Sequence, residues 1–158
     1  MGDRINHLFQ EWGQLGAPVL FATAQESLPP RSLETIFAES IAYCRASGRL
    51  TWVVLDSLMR FIEEINVETL LRETRKFGNV SVLGLLSEAA DQRSPHPKFK
   101  QIMRACSPNN ELIPFFHRVA KSPLATRLAR ENGLALFRKW NYLSNELRYL
   151  SDELPVVE

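Results

Sequence analysis

The stretch that decides the fold is LTWVVLDSLMRFIEEI, residues 50–65. Apolar side chains fall on every side of a helical wheel drawn over it, so no broad face is left for solvent. The β-branched residues at its start would suit a strand, but the length of the stretch and its polar end at Glu63-Glu64 favour a helix. We therefore predict a central helix around which the other elements pack.

Start and stop signals for helices recur on both sides of this stretch. The predicted N-caps are Ser32, Asn66, Asn79 and Ser122, and the predicted ends are Gly16, Gly48, Gly78 and Asn132-Gly133. No segment alternates convincingly with a period of two residues, which would indicate strands. The sequence thus predicts an all-α fold with about nine short helices in a compact array, either an orthogonal bundle or a short superhelix of helical pairs. At 158 residues, we expect residues 1–158 to form a single domain.

Composition excludes several classes of protein. Apolar residues make up 45% of the chain and charged residues 23%, as in ordinary globular domains. No apolar run approaches the roughly 18 residues that a membrane span requires, and the N-terminal segment is polar from Asp3 onward, so we expect a cytoplasmic protein. Cys44 and Cys106 both fall on apolar helical faces. We predict that they are buried thiols rather than a disulfide or metal site, and we predict no cofactor.

The end of the sequence repeats with a period of seven residues. Residues 142–148 read YLSNELR and residues 149–155 read YLSDELP. This spacing lays one apolar seam along a helix, so we predict a long amphipathic helix over residues 134–154. The seam either packs on the core of its own chain or pairs with a second copy or a protein partner. Its members are Leu136, Trp140, Leu143, Leu147, Leu150 and Leu154.

Charge is unevenly distributed along the chain. Residues 91–150 hold 11 basic and 4 acidic residues, whereas residues 1–90 hold 8 basic and 11 acidic ones. Basic pairs at helical spacing could contact successive phosphates of a nucleic acid, or they could be solvated faces paired with nearby acids such as Glu111. The predicted phosphate-binding set is Lys98, Lys100, Arg104, Arg118, Lys121, Arg127 and Arg130.

Catalytic signals are weak. The three histidines, His7, His96 and His117, include no pair at the helical spacing of metal ligands, and no phosphate-binding glycine loop or nucleophile elbow occurs. His96 between two prolines and His117 beside Phe115-Phe116 are the histidines that a folded site could use.

These observations leave three functions open. The first is a non-enzymatic scaffold that works by protein–protein binding, with the C-terminal helix as its contact and a homodimer as one form. The second is a nucleic-acid-associated regulator that uses the basic helices over residues 97–139. The third is a helical enzyme whose site is assembled from distant residues.

Overall fold

The computed structural model of the chain describes residues 2–16, 29–116 and 135–143. Within them, seven α-helices and one two-residue pair of parallel strands are formed, and the predicted all-α class is confirmed. The elements are α1 Gly2–Gln14, α2 Leu33–Tyr43, α3 Gly48–Phe61, α4 Val67–Phe77, α5 Val80–Arg93, α6 Pro97–Ala105, β1 Ile113–Pro114, α7 Ala135–Lys139 and β2 Tyr142–Leu143. The predicted count of about nine helices and the single-domain organisation stay predictions.

The structure forms a largely buried helix, α3, over most of residues 50–65, as predicted. Leu50, Val54 and Leu58 are fully buried in it, and a 3-10 turn at Ile62–Glu64 prolongs it. Its N-cap is Ser47, whose hydroxyl accepts a hydrogen bond from the Leu50 N–H at 3.1 Å. The helical path before α3 ends just short of the predicted stop at Gly48: α2 ends at Tyr43, a 3-10 turn over Cys44–Ala46 follows, and Gly48 is the first residue of α3.

Local capping signals predicted other helix ends correctly. The Ser32 side chain accepts from the Thr35 N–H at the start of α2, and the Asn66 side chain accepts from the Thr69 N–H at the start of α4. Gly78 ends α4 with φ of 84°, a left-handed conformation that glycine adopts without steric cost.

Helix α5 lies in the interior and contacts both α3 and α6. Nine of its fourteen residues are buried, from Ser81 to Ala90. A helix with so little solvent-facing surface has few side chains to offer a ligand. Residues 135–143 pack against this helix.

The predicted continuous helix over residues 134–154 is wrong at residues 140–143. Helix α7 ends at Lys139, Asn141 has φ of 63°, and Tyr142–Leu143 form a strand. Asparagine tolerates this left-handed conformation better than most residues, so the chain turns there at modest cost. Residues 144–154 lie outside the described residues.

In the described part of the chain, no helix has both the length and the apolar character to cross a membrane.

Candidate functional site

Residues 135–143 return to the helical body and lie across α5. The Trp140 ring rests on Gly84, where an added Cβ would come within 2.4 Å of ring carbons Cη2 and Cζ3. Because side chains do not approach each other that closely, only glycine leaves room for the ring in this position. Trp140 is 4% exposed as a result.

One carboxylate, that of Glu88 on α5, contacts two consecutive residues of this segment. The indole Nε1–H of Trp140 donates to Glu88 Oε1 at 2.9 Å, and the Lys139 ammonium lies 3.0 Å from Oε2. The Glu88 side chain is only 13% exposed, so both contacts are partly shielded from water. Hydrogen bonds that involve a charged group are among the stronger ones in proteins.

Backbone contacts secure the turn after α7. The N–H of Asn109 donates to the Trp140 carbonyl at 3.1 Å, and the Asn141 amide donates to the Asn109 carbonyl at 2.7 Å. Beyond the turn, the Tyr142 hydroxyl lies 2.7 Å from the Ser81 hydroxyl. Together these contacts join residues 107–114 and 140–143 into one layer over α5.

Aromatic rings fill the space under this layer. Phe115 lies edge-on to Phe137 and to Tyr142, with ring centroids 5.1 and 5.2 Å apart. The Arg45 guanidinium lies over the Tyr142 ring at 5.4 Å and donates to the Phe115 carbonyl at 2.8 Å. The layer is therefore held from the α2–α3 connection as well as from α5.

A groove of about 380 Å³ opens between α6 and this layer. Both α6 and the returning segment contribute apolar side chains to its lining, and each also contributes basic side chains. The lining residues are Lys100, Met103 and Arg104 from α6, Pro108 from the following loop, and Lys139 and Trp140 from the returning segment. The groove exists only because residues 139–140 form one of its walls.

The three cations of the groove differ in how they are held. Lys139 pairs with Glu88 at 3.0 Å, and Lys100 lies 3.4 Å from an Asp91 carboxylate oxygen. Arg104 is exposed, and within the described ranges no hydrogen bond or ion pair is formed by its guanidinium. Arg104 is thus the group in the groove that is best able to bind an incoming carboxylate or phosphate.

The prediction that Lys98 binds phosphate needs correction. Its ammonium donates to the carbonyls of Ile62, Glu63 and Ile65 at 3.1, 2.9 and 2.9 Å. A lysine ammonium has three N–H donors, and all three are occupied here by the C-terminal end of the α3 region. Lys98 therefore stabilises a helix end and has no donor left for a phosphate.

The remaining predicted residues divide into described and undescribed positions. Leu136 is partly buried against the core, Trp140 is buried against α5, and the Leu143 backbone pairs with Pro114. In the described part, the seam thus lies against the chain's own core at Leu136 and Trp140. The other members of both sets lie outside the described residues: Leu147, Leu150, Leu154, Arg118, Lys121, Arg127 and Arg130.

The catalytic candidate that the structure describes has a structural role. His96 Nδ1 accepts a hydrogen bond from the Lys98 N–H at 3.1 Å, so His96 is the N-cap of α6. Burial raises the pKa of Cys44 and that of Cys106 to about 12, which keeps both thiols protonated and unreactive. Among the described residues, no group of histidine, cysteine and acidic side chains is arranged to hold a metal ion. His117 lies outside them.

A buried ion cluster between α1 and α2 escaped the sequence analysis. Glu11 and Glu39 are 2% and 5% exposed, although each stands on an otherwise apolar helical face. Arg31 donates to Glu11 at 2.6 and 2.7 Å and lies 2.9 Å from Glu39, which also receives two hydrogen bonds from Arg4. The sequence did contain a signal for this cluster, because Glu11 and Glu39 each interrupt a run of apolar residues on one helical face. A buried acid in such a position needs a cationic partner.

Electrostatics within this cluster favour the charged forms. Burial acts to raise the pKa of Glu39, but hydrogen bonds from Arg4 and Arg31 outweigh it and hold that pKa below its ordinary value. The hydrogen bond to Glu11 raises the pKa of Arg31 further. The cluster is internally satisfied, and it ties α1 to α2.

No family model, no curated protein and no solved structure matches this chain.

Proposed function

We propose that this protein acts by binding, without catalysis, and that the groove between α6 and residues 139–140 takes a peptide segment of a protein partner. The segment would insert an apolar side chain and present a carboxylate to Arg104. The observation that carries this proposal is a groove with an apolar lining whose rim includes an exposed guanidinium that the described residues leave unpaired. Arginine is enriched at the energetic centres of protein interfaces.

The volume of the groove suits one or two side chains of a bound peptide. At about 380 Å³ it falls in the lower part of the range for ligand sites, enough for one or two side chains. Met103 adapts its shape to different apolar partners because its side chain is unbranched and flexible. Affinity would therefore come from one anchoring side chain and one ion pair.

The alternative, a nucleic-acid surface, has less support among the described residues. A phosphate-binding track needs several free cations in a row. Lys98 is fully occupied, and Lys100 and Lys139 each have an acidic neighbour. The four other predicted phosphate ligands lie outside the described residues, so nucleic acid enters as one outcome of the test.

The test compares a peptide with a nucleic acid on the full chain. A fluorescein-labelled peptide of alternating leucine and glutamate is titrated with protein, and its anisotropy is followed beside that of a labelled single-stranded DNA. We expect the peptide to bind, and we expect Arg104→Glu to weaken it about tenfold, as for a truncated interfacial ion pair. Arg72→Glu is the matched control, because Arg72 is an exposed arginine on α4 outside the groove.

Two results would contradict the proposal. If the peptide binds R104E and R72E equally well, the groove is not its site. If DNA binds instead, with an affinity that falls steeply from about 50 to about 200 mM salt, the basic surface is a nucleic-acid interface.

Two further parts of the proposal concern the cellular compartment and the oligomeric state. The free, buried cysteines are compatible with a reducing compartment, which supports a cytoplasmic place of action. A homodimer through the distal seam, at Leu147, Leu150 and Leu154, stays a prediction that a measurement of mass in solution would test.

A further inference from the structure

The three cations that line the groove come from two different elements. Lys100 and Arg104 lie one helical turn apart on α6, and Lys139 lies on α7 at the other side of the groove. The lining contains no acidic residue. An anion in the groove therefore meets positive charge from both walls.

A carboxylate leaves part of this positive charge unused. It carries one negative charge on two oxygens, whereas a phosphorylated serine carries about −1.5 to −2 charges on three acceptor oxygens. Three cations around one anion match the phosphoryl group better than the carboxylate. We propose that the groove takes a phosphorylated serine or threonine together with an apolar neighbour in the same peptide. This inference rests on the proposed function, because it names the ligand class of the same site.

Lys139 can turn to a ligand because its acidic neighbour has a second donor. The Lys139 ammonium lies 3.0 Å from Glu88 Oε2, and Glu88 Oε1 accepts from the Trp140 indole at 2.9 Å. The Lys139 side chain is 59% exposed, and ion pairs of such exposed groups contribute little to stability. When Lys139 moves, Glu88 keeps the indole hydrogen bond that holds the wall of the groove.

Lys100 is in the same situation on the opposite wall. Its ammonium lies 3.4 Å from Asp91 Oδ2, while Asp91 Oδ1 accepts from the backbone N–H of His96 at 3.2 Å. The acid therefore keeps a donor when Lys100 turns away from it. Arg104 has no acid to leave among the described residues, so all three cations are available to one phosphoryl group.

The apolar part of the lining indicates what carries the phosphoryl group. Met103, Pro108 and Trp140 line the same groove as the cations. A free phosphate ion has no apolar group to cover these side chains, whereas an apolar residue next to a phosphoserine removes them from water. The combination of three cations with an apolar lining therefore favours a phosphorylated peptide over a free phosphate.

Three labelled peptides that differ at one position test the inference on the full chain. Each carries fluorescein and places one variable residue between two leucines, and that residue is phosphoserine, glutamate or serine. We expect the phosphoserine peptide to bind about tenfold more tightly than the glutamate peptide, because two more cations contact it. The serine peptide should bind most weakly. Anisotropy titrations at one fixed salt concentration give the three dissociation constants.

Variants of the two lysines separate a phosphoryl group from a carboxylate. We expect Lys100→Met and Lys139→Met each to weaken the phosphoserine peptide about fivefold, through loss of one hydrogen bond to a charged group, and to change the affinity for the glutamate peptide less than about twofold. Lys76→Met is the matched control, because Lys76 is an exposed lysine on α4 that pairs with Glu73 at 2.7 Å and does not line the groove. An unchanged Trp140 indole signal in NMR shows that the wall of the groove is intact in each variant.

Two results overturn the inference and leave the proposed function in place. Equal affinities for the phosphoserine and glutamate peptides, both lost in R104E, show that the groove does not select a phosphoryl group. Phosphoserine binding that is unchanged in both K100M and K139M shows that the lysines do not contact the ligand.

Two other results overturn the inference together with the proposed function. If none of the peptides binds, the groove is not a peptide site. If inorganic phosphate or single-stranded DNA displaces the labelled phosphoserine peptide as effectively, per phosphate group, as the unlabelled peptide does, the ligand is a free anion or a nucleic acid.

Discussion

The Trp140 ring lies directly on Gly84, and an added Cβ at Gly84 would meet two of its ring carbons at 2.4 Å. This contact joins Gly84, on a helix in the interior, to a residue more than fifty positions further along the chain. The same indole donates to Glu88 one helical turn further along α5. The wall of the groove therefore depends on a glycine and a glutamate that share one face of α5.

Replacing Gly84 with alanine should detach the returning segment or strain it. A methyl group would overpack the contact with Trp140 and with Cys106, whose Cβ would lie 3.0 Å away, and such changes cost about 1–3 kcal/mol. Urea unfolding would measure the loss. Gly2→Ala is the control, because nothing lies within 4 Å of an added Cβ there. A G84A protein as stable as the original would refute the close packing.

Replacing Glu88 with alanine should expose Trp140. The change removes the acceptor of the indole N–H and the partner of Lys139, and we expect the free energy of unfolding to fall by about 1–3 kcal/mol. The Trp140 indole signal in NMR should shift toward the position of an exposed tryptophan. Glu111→Ala provides the comparison at an exposed acid, and equal effects of the two changes would count against the anchoring role of Glu88.

Replacing Lys98 with methionine should destabilise the fold more than the same change at Lys100. Lys98 satisfies three carbonyls at the end of the α3 region, and unpaired, partly buried polar groups cost about 1–3 kcal/mol. Lys100 is an exposed residue on the same helix with a single ionic neighbour at 3.4 Å. Denaturant unfolding of the two variants decides the matter, and a larger loss in K100M would contradict the capping role.

Stability should fall in acid because of Glu39. Its pKa is lowered in the folded protein, so the unfolded chain takes up the proton first as the pH decreases. The stabilisation is complete above the ordinary pKa of about 4.5 and is lost as the pH falls toward the lower folded value. Urea unfolding between neutral pH and about pH 3 would show this slope, and Arg4→Gln should reduce it. An unchanged slope in R4Q would contradict the coupling, and Arg72→Gln supplies the control.

Much of the helical body could be predicted from local sequence signals. Ser32, Asn66 and Gly78 act within one helical turn of their own position, so the residues around them are sufficient to define the helix ends. The all-round apolar character of residues 50–65 likewise predicts burial without reference to a partner.

Predictions failed where distant contacts prevailed over local periodicity. The seven-residue spacing predicted one helix through residue 140, yet the chain turns at Asn141 because Trp140 and Asn141 make contacts with α5 and with Asn109. His96 and Lys98 were candidate functional residues by type, and both act at helix ends. Side-chain chemistry alone does not distinguish a ligand from a cap.

The sequence by itself determined the helical class, the burial of the helix over residues 50–65 and most of the described caps, because these depend on hydrogen bonds and apolar spacing among residues near one another in the chain. Only the tertiary structure decided where residues 135–143 lie, which cations are occupied and where the groove opens. The physical reason is that Trp140 lies far in the sequence from Gly84 and Glu88, and it meets them only through the tertiary contact of residues 135–143 with α5.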